Sequence, residues 1–157
     1  MKRFFDKIDK KIVGFMAVVG MPFLRISLAI VFIWFGILKP MHLSSANDIV
    51  IKTVYWFDPA WFVPFLGWWE VLIGVCLLYK PLIRFGIFIM MLQMAGTFLP
   101  LVLLPEIIYI KFPFVMTLEG QYIIKNLVLI GAALVIGSHV RDKERNIKIN
   151  SKKRNKK

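Results

Sequence analysis

Four long apolar stretches, separated by short polar or proline-containing segments, dominate the pattern of this chain. They run from about 22–38, 64–79, 82–104 and 121–138. A helix needs about 17–25 mostly apolar residues to cross a bilayer, and we expect each stretch to do so. The pattern predicts an all-α fold, an integral membrane bundle of four helices within residues 21–139.

Prolines and lysines mark the ends of these predicted spans. Pro22 stands at the first turn of the first span, where a proline is well tolerated. Lys39-Pro40 closes the first span, Lys80-Pro81 the second and Pro105 the third. Because only a very short turn separates the second and third spans, they should form an antiparallel hairpin.

A different pattern precedes the first span, in residues 1–20. Apolar residues recur there at helical spacing, and lysines and an arginine occupy the other side. This pattern predicts an N-terminal amphipathic helix that lies in the membrane interface with its basic side toward lipid headgroups. A helix that packs on a partner protein is the alternative.

Three further segments lie outside the spans. The pattern of residues 45–57 predicts a short amphipathic helix. Ser45 and Asp48 have the spacing of a capping box at its start. An aromatic cluster suited to the membrane interface lies at its end. Residues 105–120 are apolar but interrupted by prolines, which predicts an interfacial loop. Residues 140–157 are polar and basic, which predicts a disordered cytoplasmic tail.

Composition and charge agree with this interpretation. The apolar fraction is 59%, against roughly 45–50% in ordinary soluble domains. The net charge of +12 would suit nucleic-acid binding, but seventeen of the 21 Lys and Arg residues fall on one side of the predicted bundle. That asymmetry predicts a multi-pass protein of the cell inner (cytoplasmic) membrane with both termini cytoplasmic, no nucleic-acid partner, and contact between the tail and anionic lipid.

Few residues could carry common cofactor chemistry. Cys76 is the single cysteine, so no disulfide forms within the chain, and we expect it to be a buried structural residue. His42 and His139 lie near opposite faces of the predicted bundle, which argues against a haem or zinc site within one chain. No cofactor is demanded, and no metal site is expected.

Ionisable residues inside the spans are the candidates that remain. Each costs about 2.5–3.5 kcal/mol to place in a membrane, so each warrants a functional hypothesis. Glu70 and Lys125 have comparable predicted depths, about 9 and 6 Å from the outer ends of their spans, and should pair. Gly67 and Gly74 share a helix face with Glu70 and should let a neighbouring helix approach closely.

Further polar residues could surround this pair. Gln93 and Thr97 share a face of the third span. The predicted ligand-binding set is Glu70, Lys125, Lys39, Gln93, Thr97, Asn126, Tyr122 and Arg25. The alternatives are a purely structural ion pair, side chains of Lys39 and Arg25 that snorkel to the interface, and hydrogen bonds from Gln93 and Thr97 that only hold helices together.

Three motifs carry a resemblance to a known family. The segment Leu24–Lys39 resembles the opening helix of DoxX-like membrane proteins, and Leu66–Gly74 is similar to that family's glycine-and-glutamate helix. Glu119–Leu127 is similar to the final helix of the YkgB-like branch. The motifs occur in the right order across residues 20–138. One departure is Ser44–Asn47, where that branch usually carries a glutamate.

The resemblance implies a four-helix bundle with a redox role. The family is named after subunits linked to a terminal oxidase and to thiosulfate oxidation with quinone as acceptor. Its polar positions match Arg25, Lys39, Glu70 and Lys125 of this chain. The resemblance favours an accessory subunit or small-ligand binder over a stand-alone enzyme, with redox subunits or further copies of the chain as partners.

Quinone is the favoured ligand of this hypothesis. Lys39 or Lys125 would donate to a quinone carbonyl, Glu70 would hold or relay a proton, and a tryptophan would flank the ring. The candidate tryptophans are Trp34, Trp68 and Trp69. The alternatives are a transporter for a small solute and a structural membrane partner without catalysis.

Overall fold

The computed structural model describes the backbone of residues 2–154, and the side chains of Asp6 and of residues 8–140. Four long helices form most of it. The elements in chain order are α1 (Lys2–Leu38), α2 (Asn47–Thr53), α3 (Pro59–Leu78), a 3-10 turn (Lys80–Leu82), α4 (Ile83–Thr97), α5 (Pro100–Leu103), α6 (Pro105–Ile108), β1 (Tyr109–Lys111), β2 (Val115–Met116) and α7 (Leu118–Arg154).

Four segments of the described part of the chain are long and apolar enough to cross a membrane. They are Ile8–Leu38, Pro59–Leu78, Lys80–Leu103 and Leu118–Val140. Their most apolar windows bury only 17–39% of their residues inside the protein, so large apolar side chains face outward on every helix. A helix of a soluble bundle would place polar residues there. These features suggest a multi-pass membrane protein.

The four long helices pack as a closed ring. α1 packs against α3, α3 against α4, α4 against α7, and α7 against α1. α3 and α7 therefore lie diagonally opposite each other. The predicted antiparallel hairpin is confirmed, since α3 and α4 are joined through the 3-10 turn at Lys80–Leu82.

All four helices contribute to one apolar core. Its fully enclosed members include Ala29 of α1, Ile73 and Leu77 of α3, Met90 of α4 and Ala133 of α7.

The α3–α4 contact buries the single cysteine. Cys76 is buried, as predicted, and a Cβ added to Gly86 of α4 would stand only 2.8 Å from its Cβ. The glycine thus lets the two helices of the hairpin approach closely.

The helix boundaries differ from the predicted ones at several points. The third predicted span is interrupted, since α4 ends at Thr97 and α5 begins at Pro100, and α7 begins at Leu118. α1 is continuous from Lys2 to Leu38 with Pro22 inside it, so no break separates the predicted interfacial helix from the first span. α3 begins at Pro59, five residues before the predicted start, because the Asp58 carboxylate accepts a hydrogen bond from Ala60 N–H. The predicted capping box is wrong: Ala46 occupies the position before α2 and caps it with no side chain.

The segment predicted as an interfacial loop contains regular structure. α6 leads into a small antiparallel hairpin of β1 and β2, with a cis peptide bond between Phe112 and Pro113. Gly120 fits against this segment, since an added Cβ would meet the Ile108 carbonyl oxygen at 2.6 Å.

Only part of each end of the chain is described at the level of side chains. The side chains of residues 1–5, 7 and 141–157 lie outside the described residues. The amphipathic pattern of the N-terminal helix is therefore described only in part and stays a prediction. In place of the disordered tail predicted for 140–157, the backbone of α7 continues as a helix to Arg154.

Candidate functional site

Glu70 is the centre of a buried polar cluster. It lies on α3, about 16 Å along the helix from its first residue, Pro59, and is 9% exposed. Its two carboxylate oxygens each accept one hydrogen bond. Lys39 Nζ lies 2.5 Å from Oε2, and Gln93 Nε2 donates to Oε1 over 2.6 Å. Three helical segments thus converge on one carboxylate.

Two glycines make room for this ion pair at the crossing of α1 and α3. A Cβ added to Gly36 would stand 2.7 Å from the Gly67 carbonyl oxygen and 3.0 Å from Glu70 Cβ. A Cβ added to Gly67 would stand 2.6 Å from the Gly36 carbonyl oxygen and 2.9 Å from Lys39 Cβ. Each charged residue therefore packs over the glycine of the opposite helix.

The small residues continue along the same crossing. A Cβ added to Gly74 would stand 2.7 Å from the Ala29 carbonyl oxygen. The close approach predicted for Gly67 and Gly74 is confirmed, and the neighbouring helix is α1. Backbone contact of this kind is typical of helix pairs with small residues at their interface.

Lys39 reaches Glu70 because of its place at the end of α1. α1 ends at Leu38, and side chains there tilt back toward the start of their own helix. The ammonium group therefore points into the bundle, and Lys39 is only 5% exposed. The snorkelling alternative predicted for Lys39 is wrong.

The predicted pair of Glu70 with Lys125 is wrong. Lys125 belongs to α7, diagonally across the ring from α3, and is exposed. Its Nζ lies 5.0 Å from the ring centroid of the exposed Tyr122, a cation–π contact.

The remaining predicted site residues do not join the cluster through their side chains. Thr97 Oγ1 donates to the Gln93 backbone oxygen over 3.1 Å, a bond within α4. Asn126 of α7 is partly buried and makes no side-chain hydrogen bond within the described part of the chain. Arg25 lies about 21 Å from Lys39 along α1, toward the opposite end of the bundle.

The cluster retains unused hydrogen-bonding capacity. An ammonium group has three N–H donors, and Lys39 uses one of them on Glu70. Gln93 Oε1 is buried and has no hydrogen-bond partner within the described residues. Buried polar atoms are nearly always paired, so an unpaired acceptor beside an ion pair is an exception that calls for an explanation.

The sequence does contain a pattern that points to Lys39 as the partner of Glu70. Both helices carry a glycine three residues before the charged residue, in Gly36-Ile37-Leu38-Lys39 and Gly67-Trp68-Trp69-Glu70. Residues three apart share a helix face. When these two helix faces meet through their glycines, the lysine of one and the glutamate of the other come together. The predicted depths of the residues within their spans did not contain this information.

The described residues define a helical bundle with four candidate spans and a buried Lys–Glu–Gln cluster. No three His, Cys, Asp or Glu side chains among them are grouped so as to hold a metal ion. Comparisons with protein-family models, with curated proteins and with solved structures find no match to this chain. The resemblance to DoxX-like proteins therefore stays a prediction from its motifs.

Proposed function

We propose that this chain is a small-ligand-binding component of a membrane redox system, and that quinone is its ligand. The observation that carries the proposal is the buried cluster of Lys39, Glu70 and Gln93, which leaves one buried acceptor without a partner. Electrons would come from a partner subunit, so the chain acts as an accessory component.

The cluster has the donors and acceptors that a quinone and its quinol require. A free N–H of Lys39 can donate to a quinone carbonyl oxygen. Gln93 Oε1 can accept a hydrogen bond from a quinol hydroxyl. Glu70, held by two neighbours, can accept or release a proton between these states.

One tryptophan is best placed to flank the ring. Trp34 and Trp68 face outward and are 67% and 61% exposed. Trp69 precedes Glu70, is partly buried and packs against the apolar core. We therefore expect Trp69 to pack against the quinone ring.

The proposal includes an orientation. The end of the bundle that carries Lys39 faces away from the cytoplasm, and the turn at Lys80 and both termini lie in the cytoplasm. The distribution of lysine and arginine supports this orientation. A ligand would then reach the cluster from the outer side or from the membrane.

A structural ion pair is the competing interpretation of the same cluster. Replacement of buried ion pairs by apolar residues is often neutral for stability, so a pair retained inside an apolar bundle is weak evidence for a stabilising role. The unpaired Gln93 acceptor also favours a ligand over a closed structural network.

A quinone titration of the purified protein in detergent tests the proposal. Tryptophan fluorescence is followed as a short-chain benzoquinone is added to the wild type and to Glu70→Gln, Lys39→Met and Gln93→Leu. We expect saturable quenching in the wild type and only linear, collisional quenching in the three variants. Lys125→Met is the matched control, since it removes a lysine outside the cluster, and it should behave as the wild type.

The tryptophan assignment gives an internal check. Trp69→Phe should remove more of the saturable signal than Trp34→Phe or Trp68→Phe. Saturable quenching that survives Glu70→Gln and Lys39→Met would refute the proposed site. Linear quenching in the wild type and in every variant would mean that the cluster is a structural ion pair. The alternatives of a small-solute transporter and a structural membrane partner would then be favoured.

A further inference from the structure

A pocket lies near the same end of the bundle, outside the Glu70 cluster. It encloses about 420 Å³ between the turn after α1, the helix α2 and the start of α3. Small-molecule sites commonly occupy about 300–1,000 Å³, so the size suits a small ligand. Its lining shares no residue with the cluster of Lys39, Glu70 and Gln93.

The turn after α1 builds one wall of this pocket. His42 adopts a left-handed backbone conformation with φ 57°, and its N–H donates to the Lys39 carbonyl oxygen over 3.0 Å. Ser44 Oγ then accepts a hydrogen bond from Ala46 N–H. These contacts fold the chain back, so that His42 and Ser44 face the first residues of α2 across the pocket.

Asn47 is the unusual residue of this lining. It is 9% exposed, yet its side chain makes no hydrogen bond within the described part of the chain, and its Oδ1 is buried. Thr53, the other buried polar residue of α2, donates to the Ile49 carbonyl oxygen over 2.6 Å and is satisfied. A half-turn of the amide exchanges its oxygen and nitrogen with little change of shape, so Asn47 can offer either atom to a ligand.

The charge of the lining selects the class of ligand. Asp48, which is exposed at the edge of the pocket, lines it, and neither lysine nor arginine does. Lys52, four residues further along, forms no ion pair with Asp48 within the described residues. The Asn47 oxygen and the Ser44 hydroxyl add neutral acceptors. Ile51 and Val63 form an apolar side.

We infer that this pocket binds a primary ammonium group. The ammonium donates to the Asp48 carboxylate and to the Asn47 amide oxygen, and the attached carbon chain lies against Ile51 and Val63. This site goes beyond the proposed redox function and does not depend on Glu70. Two sources share its chemistry: a free amine and the ethanolamine headgroup of a phospholipid.

Thermal unfolding of the purified protein, at fixed ionic strength and with n-butylammonium chloride as the probe, tests the inference. The wild type should show a saturable rise in Tm. Asp48→Asn should weaken the apparent affinity about three- to fivefold, the loss expected for an ion pair at an exposed carboxylate. Glu106→Gln is the matched control, because it removes an exposed carboxylate that lies outside the pocket, and it should respond as the wild type.

Two further measurements separate the site from a general salt effect. Tetramethylammonium carries the same charge without N–H donors and should give no rise in Tm. Asn47→Leu should raise the Tm of the ligand-free protein, since it removes an unpaired buried amide, and should abolish the response to butylammonium. An equal response in Asp48→Asn and the wild type, an equal effect of tetramethylammonium, or no response at all would overturn the inference.

Nanodiscs of defined lipid distinguish the two sources. If the headgroup is the ligand, phosphatidylethanolamine discs should give a higher Tm than phosphatidylcholine discs, and butylammonium should add little in the former. If a free amine is the ligand, butylammonium should raise the Tm equally in both. Either result supports the ammonium site and names its source.

Discussion

Replacement of Lys39 by methionine isolates the central contact of the candidate site. Methionine keeps an unbranched chain of similar length but removes the charge, so Glu70 loses the ion pair at Oε2 and keeps the bond from Gln93 at Oε1. Glu70→Met removes the other partner, and the double variant removes both. Lys125→Met is the control, because Lys125 is exposed on a helix diagonal to Glu70.

The expected loss in the free energy of unfolding follows from the burial of the two charged residues. Lys39 and Glu70 are 5% and 9% exposed, and removal of one partner from a buried pair costs about 3–5 kcal/mol. Because Gln93 still donates to the remaining carboxylate, we expect about 3 kcal/mol for Lys39→Met, the lower end of that range. The double variant leaves no buried charge, so its free energy of unfolding should lie within about 1 kcal/mol of the wild type.

The free energy of unfolding can be measured by titration with sodium dodecyl sulfate in mixed micelles, with tryptophan fluorescence as the signal. The double-mutant cycle then gives the coupling between Lys39 and Glu70. Because each single variant should lose about 3 kcal/mol and the double variant at most about 1 kcal/mol, we expect a coupling of about 5 kcal/mol. Lys125→Met should change stability by less than about 0.5 kcal/mol. A larger loss for Lys125→Met than for Lys39→Met, or no coupling in the cycle, would refute the assignment of the pair.

Three further predictions concern packing, capping and topology. Gly67→Ala should destabilise the protein by about 1–3 kcal/mol because the added Cβ meets backbone at 2.6 Å; Gly131→Ala, with nothing within 4 Å, should stabilise it by about 0.5–1 kcal/mol in the same unfolding assay. Asp58→Ala should lose about 1 kcal/mol in that assay, since it removes the side-chain cap of α3; no loss would show that the cap is dispensable. A fluorescent protein fused after Lys157 should fluoresce in the cytoplasm, whereas an epitope inserted beside the exposed Phe114 should bind antibody from outside intact spheroplasts; the reverse result would overturn the proposed orientation.

Sequence alone determined the helices and much of their order. Runs of apolar residues of bilayer length have few other structural solutions, because every backbone polar group in a span must bond within its own segment. The short turn at Lys80-Pro81 left the second and third spans no arrangement except an antiparallel hairpin. Glycines on the face of Glu70 likewise predicted a close helix contact, which the structure contains.

Helix ends were predicted less well, because local polar contacts decide them. The Asp58 cap lets α3 begin five residues before Pro64, and α1 continues through Pro22. The first of these shifts matters for the site. It moves Glu70 to about 16 Å from the start of its helix, where the sequence implied about 9 Å.

The packing of the helices determines which residue pairs with Glu70. Sequence spacing gives the height of a residue along its helix and the face it occupies, but not which helix that face meets. Here the ring order places α1 beside α3 and α7 across from it, so Lys39 pairs with Glu70 while Lys125 contacts Tyr122. The reason is steric: with glycine on both sides, the backbones of α1 at Gly36 and α3 at Gly67 approach closely enough to bring the two charges together.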